Sequence, residues 1–185
     1  MKYCAGLFIV LFLGQLAHSQ TLIYQKDASQ ISWTGRAALT NYRLTGTLPK
    51  ASGWITIKDD DIESASITID MKALRAENND LEKHLKSTDF FDVNTYGTAV
   101  FELAQLIYTS EATTALGQLT IKDITVDMDI PIVMERAEEM WKISGTLVFD
   151  RTRFGIVYNS PSFFENLKDQ AIADEIILEF VMVFQ

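Results

Sequence analysis

The sequence predicts an all-β protein, an antiparallel β-barrel of about eight strands with one short helix capping an end. Three observations predict it. Apolar residues recur with a period of two along most of the chain, as in Ile124, Val126, Met128, Ile130 and Ile132 against Thr125, Asp127 and Asp129. That alternation belongs to strands with one buried and one solvated face, which is the habit of antiparallel sheets. No stretch has the strand–helix–strand spacing that parallel pairing needs. A sheet of so many strands is best relieved of its exposed edges by closing on itself.

The chain opens with Lys2, an apolar run over residues 5–13 and the small-residue site Ala17-His18-Ser19. This reads as a cleavable signal peptide over residues 1–19, leaving one domain over 20–185. The run is shorter than the roughly 20 apolar residues a bilayer span takes. No stable membrane span is therefore expected, and the mature chain is placed in the periplasm or outside the cell. The only cysteine, Cys4, lies inside the leader and ahead of its apolar run. Disulfides, thiolate metal sites and cysteine nucleophiles are thereby excluded from the mature chain. A net charge of −9 argues against nucleic acid and anionic membrane surfaces as partners. It leaves open a lipid held inside, and a hydrophobic content of 48% fits a folded globule.

In the first strand, 30–35, Ile31 and Trp33 share one face and Ser32 and Thr34 the other. Residues 39–48 continue less regularly up to Pro49. Residues 53–58 and 64–71 flank Asp59-Asp60-Asp61 and predict a hairpin, with Ala65, Ile67, Ile69 and Met71 on one face. Asn78-Asn79-Asp80 starts a short helix that carries Leu81, His84 and Leu85 on one side, with Lys86 at its negative end. Strands follow at 98–108, 116–122, 124–132, 141–150 and 175–184. Ile143, Leu147 and Phe149 point inward in the fourth of these, and Ile176, Leu178, Phe180, Met182 and Phe184 in the last.

One stretch fits neither period. In His84-Leu-Lys-Ser-Thr-Asp-Phe-Phe-Asp-Val93 two phenylalanines are adjacent, and a strand would send them to opposite faces. A helix and turn folding over the open end of the barrel would instead push both rings into it. The inner face is long and apolar and includes Met71, Met128 and Met182, which are flexible gap-fillers. By pattern alone, a packed core and a ligand chamber are both open.

That block resembles a known family. So do, in order, Ile31-Ser-Trp-Thr-Gly35, Ala51-Ser-Gly-Trp-Ile-Thr-Ile57, Ile67-Thr-Ile-Asp-Met71, residues 96–101, Gly117-Gln-Leu-Thr-Ile-Lys122, Arg151-Thr-Arg-Phe-Gly-Ile156 and Ala173-Asp-Glu-Ile-Ile-Leu178. The chain resembles the YceI-like proteins, exported bacterial polyisoprenoid-binding proteins with a lipocalin-like barrel. Gly97 stands where the family usually has a proline after the aromatic at Tyr96, and Asp123 where a glycine usually follows Lys122. The resemblance implies a long isoprenoid tail threaded through an elongated barrel, its polar head near the mouth, and no catalysis.

On that reading Leu85, Phe90, Phe91 and Val93 are the candidate lid, and Trp33, Ile69, Met71, Phe101, Ile130, Phe149 and Phe180 the candidate lining. A buried tail needs no special chemistry, since each methylene contributes about 0.8 kcal/mol. Arg151 and Arg153, two apart, would share a face if the strand continued to them, and arginine forks suit a pyrophosphate head. Such a pair equally suits balancing surface carboxylates. His84 is the only histidine after the leader, so no metal site is expected. Asp127 and Asp129 lie opposite the apolar face and read as solvated, not as a glycosidase pair. Asp59-Asp60-Asp61 lacks the spacing of a calcium loop, and neither a nucleophile elbow nor a phosphate loop occurs. No enzyme and no cofactor are expected.

The expected function is to bind and sequester or transport a long apolar lipid, a polyprenyl quinone or polyprenyl phosphate first and a fatty acid or its amide second. The alternative is a protein-interaction module of the cell envelope whose barrel is filled by its own side chains. Ile177, Val181 and Val183 on the outer side of the last strand would serve that module or a homodimer. A hydrolase is a third reading, requiring a buried acid–base pair that the sequence does not display.

Overall fold

The computed structural model describes residues 19–40 and 42–185. Apart from Ser19, the expected signal peptide lies outside the described residues. The described strands are β1 (Ser19–Ile23), β2 (Gln30–Arg36), β3 (Arg43–Thr47), β4 (Ala51–Lys58), β5 (Asp61–Asp70) and β6 (Arg75–Ala76), then helix α1 (Asn79–Lys86). After it come β7 (Thr98–Tyr108), β8 (Thr113–Ile121), β9 (Ile124–Ala137), β10 (Met140–Asp150) and β11 (Glu175–Phe184). They form one antiparallel sheet in the order β1-β4-β5-β7-β8-β9-β10-β11-β2-β3-β6. The strand count exceeds the expected eight or so chiefly through β1 and β6. With five and two residues, these are too short for alternation to register.

The sheet curls until its first strand, β1, meets the end of β11. β11 pairs with β2 over Ile177 to Val181 and then runs on to β1. There the Ile23 N–H donates to the Gln185 carbonyl at 2.9 Å and the Gln185 N–H returns a bond to the Ile23 carbonyl at 3.1 Å. The Tyr24 and Phe184 rings meet edge-on at 5.9 Å over this seam. β1 then carries the ring to β4, while β2 carries it to β3 and β6.

Val183 corrects one expectation. Alternation places it outward, yet it is buried, because the chain between β1 and β2 folds over the end of β11. Gln25 donates its N–H to the Val183 carbonyl at 2.8 Å, and the Val183 N–H donates to Ser29 Oγ at 2.9 Å. The outer apolar stripe on β11 thus loses one of its three members.

Two hairpin turns explain local sequence choices. Asp59 and Asp60 have φ of 51° and 66°, and Lys122 and Asp123 have φ of 51° and 58°. Each is a two-residue loop with both residues left-handed, the geometry that matches strand twist. Asp123 therefore occupies a position where glycine would be unstrained, and aspartate is among the few other residues that tolerate it.

Near the first of these turns Tyr108 donates its hydroxyl hydrogen bond to Asp61 Oδ1, tying the end of β7 to the start of β5. Burial, followed by the Asp61 carboxylate, pushes the Tyr108 phenol from 10.0 up to about 12. The folded state thus holds this proton more tightly than the unfolded chain. Its stabilising contribution is whole below pH 10.0 and is lost as pH climbs through about 12. In a tyrosinate absorbance titration one phenol should ionise near that upper value, and Asp61→Asn should bring it back down.

Helix α1 is held as its sequence suggests. Asn78 Oδ1 accepts the Leu81 N–H at 2.9 Å. Glu82 pairs with Lys86 at 2.7 Å and with Arg75 at 2.9 Å, fixing the helix to β6. Its one buried residue, Leu85, faces the barrel. No helix among the described residues is long and apolar enough to cross a membrane.

Candidate functional site: a hollow apolar interior

Inward side chains in a solid core would be sealed. Here Ile69, Phe101, Ile143, Ile176, Leu178, Phe180 and Met182 are only half-buried although they pack against the core. Their free surface faces two internal hollows. The larger, about 100 Å³, is lined wholly by apolar side chains, from Ile62 and Phe184 at one end to Ile31 and Leu147. The second, about 60 Å³, lies under the helix among Trp33, Met71, Leu85, Phe90, Phe91 and Phe149, with Arg151 its only charged residue. Ile69, Leu119 and Leu178 line both. A wider depression of about 610 Å³ around Ser144, Thr146 and Glu179 is open to solvent on the outside of the wall.

Glycines help keep the interior hollow. A Cβ on Gly46 would stand 2.5 Å from the Trp33 ring, one on Gly117 2.5 Å from Phe101 Cζ, and one on Gly145 2.7 Å from Phe180 Cζ. Three large rings thus rest against bare backbone of the neighbouring strand, where any other residue would force them off the wall. Gly145→Ala would also bring its Cβ to 2.7 Å from the Pro131 carbonyl oxygen, which cannot swing aside. We expect that substitution to cost about 1–3 kcal/mol in urea unfolding, the usual range for overpacking.

The lid is a tight turn continuing α1. Phe91 N–H donates to the Leu85 carbonyl at 3.1 Å and Asp92 N–H to the Ser87 carbonyl at 2.8 Å, with Asp92 at a φ of 43°. Phe90 is thereby driven inward. Its ring meets His84 at 5.2 Å, Tyr158 at 5.5 Å and Phe91 at 6.4 Å, and the Arg151 guanidinium lies 5.6 Å from its centroid. Lys122 Nζ donates to the Phe90 carbonyl at 2.9 Å, pinning the lid to the β8–β9 turn.

Of the residues singled out from sequence, Ile69, Phe101, Ile130 and Phe180 line the larger hollow. Trp33, Ile69, Met71, Leu85, Phe90, Phe91 and Phe149 line the smaller. Val93 is buried in the core but lines neither. Tyr158 and Lys122 at the lid were not foreseen. Tyr158 lies between β10 and β11, where no periodicity marks it, and Lys122 was read only as the end of the strand over 116–122.

Arg151 and Arg153 do not share a face. β10 stops at Asp150, whose Oδ1 accepts the Thr152 N–H at 2.8 Å and starts a 3₁₀ turn. On that turn Arg153 is exposed, while Arg151 is 1% exposed. Arg151 donates from Nε to the Ala173 carbonyl at 3.1 Å, from Nη1 to Ile156 at 2.8 Å and from Nη2 to Ile172 at 3.0 Å. Nη2 also reaches Asp174 Oδ1 at 3.4 Å. Burial pulls its pKa below the usual value, while Asp174 and Asp150 oppose the shift. The side chain is a buried clasp for the segment between β10 and β11, with most of its donors spent on backbone.

Fold and site together define a class, a small curled β-barrel with an apolar lumen under an aromatic cap. The YceI-like domain matches residues 23–184, and the chain belongs to that family. A UPF0312 protein of Ectopseudomonas mendocina (strain ymp) is 26% identical over 102 residues, which cover 49% of this chain and 53% of the relative, so the match spans about half the relative's length. Among solved structures, BcnA of Burkholderia cenocepacia superposes with a TM-score of 0.72 at 20% identity, covering 86% of this chain and 98% of that one. A polyisoprenoid binding domain from Saccharophagus degradans gives 0.69 at 13% identity, covering 89% and 97%. The Campylobacter jejuni YCEI protein gives 0.65 at 17% identity, covering 81% and 90%.

Proposed function

We propose that the protein binds a long apolar lipid in its lumen and sequesters or carries it outside the cytoplasm, without catalysis and without a cofactor. The observation that carries this reading is the larger hollow, lined entirely by apolar side chains, of which Ile69, Phe101, Leu178, Phe180 and Met182 remain only half-buried. Family membership supports the reading, as does the fold shared with the polyisoprenoid binding domain. A polyisoprenoid, as a polyprenyl quinone or polyprenyl phosphate, is the first ligand class, and a fatty acid or its amide the second. Affinity would come from removing methylenes from water at about 0.8 kcal/mol each.

The two hollows are of the order of the ~150 Å³ that admits a benzene ring. A tail of tens of carbons therefore enters only as the lining rearranges, and the flexible Met71 and Met182 suit that role. The test is to extract the purified protein with organic solvent, identify what is released by mass spectrometry, and titrate the stripped protein with a polyprenol. Co-purified prenyl lipid or saturable uptake is the expected result. Neither being found would overturn the proposal.

A further inference from the structure

We infer that Ile69, Leu119 and Leu178 form a constriction that selects the bound tail by length. The inference rests on the lipid-binding reading above. These three residues line both hollows and so stand at the boundary between them. They stand on β5, β8 and β11. Around the curled sheet, β7 separates the first two, β9 and β10 the next two, and β1 and β4 complete the circuit. The side chains therefore converge from three directions, and all are branched aliphatics that offer a tail only steric resistance.

The three are not equally free. Leu119 sits opposite Phe101 on one side and Val126 on the other, and Leu178 sits opposite Leu147 and Trp33. Bulky neighbours fix both. Ile69 sits opposite Ala51 and Ala99, which leave it room to turn. Ile69 is thus the movable member and the two leucines are the fixed ones. A short tail is satisfied by one hollow, whereas a longer tail must displace Ile69 to occupy the second.

The experiment loads stripped protein with an equimolar series of prenyl alcohols differing by isoprene units, re-extracts them and reads the length distribution by mass spectrometry. Ile69→Phe, which thickens the movable member, should lower the long-to-short ratio by roughly tenfold, a 1.4 kcal/mol change in relative affinity. Ile69→Ala should raise it. Leu178→Met, which swaps a fixed member for a flexible one at similar volume, should raise it too and guards against a misfolded phenylalanine variant. Uptake by all proteins with an unchanged distribution would overturn the length selector and leave lipid binding standing. Failure of the wild-type protein to take up any alcohol would overturn both.

Discussion

Replacing Arg151 by methionine should destabilise the protein by about 3–5 kcal/mol, the range for removing one partner of a buried charged network. The guanidinium is 1% exposed and serves the carbonyls of Ile156, Ile172 and Ala173 as well as Asp174. Methionine fills much of the same space but returns none of those bonds, and each buried acceptor left bare carries its own desolvation cost. The Phe90 ring would lose the cation beside it, loosening the lid at the same time. Equilibrium urea unfolding measures the loss. Arg151→Lys should recover only part of it, because a single ammonium cannot span carbonyls on both sides of the segment. A loss below about 1 kcal/mol would mean that water satisfies these carbonyls and that Arg151 is free for another partner.

Ala115→Phe should leave stability unchanged or raise it while reducing lipid uptake at least tenfold. Ala115 lies on β8 between Leu106 and Ile130 and lines the larger hollow. In a filled core the added ring would be overpacked at about 1–3 kcal/mol. Here it enters about 100 Å³ of apolar space and gains contacts that the alanine lacks. The two readings of the barrel therefore predict opposite signs. Urea unfolding gives one answer and titration with a polyprenol the other. A destabilised variant with intact uptake would show that the lumen does not hold the ligand.

Much of the wall was legible because its signal is local. Ile124 to Ile132 alternate because each successive side chain must point the other way, and the same rule marked β2, β5, β10 and β11. Asn78 announced the helix because a side-chain oxygen must answer an unpaired N–H at its start. The adjacent pair Phe90 and Phe91 announced the lid because no half-buried strand would hold them. The shared face of Arg151 and Arg153 depended on β10 continuing past Asp150, and it fails for an equally local reason: Asp150 and Thr152 make an aspartate turn that ends the strand there. Val183 was misplaced for a distant one, since what covers it begins at Gln25, at the other end of the chain.

The sequence alone determined the antiparallel wall, its apolar inner face and the aromatic cap, since all three follow from which residues neighbour one another along the chain. Whether the ring was solid or hollow was decided only by the tertiary structure. That outcome depends on rings resting against glycines of the next strand, as Phe180 does on Gly145, and on three aliphatic side chains meeting from strands far apart in sequence. Periodicity says which way a side chain points. How much room remains where all of them point is a property of the closed ring, because it depends on the sum of their volumes and on the distance across it.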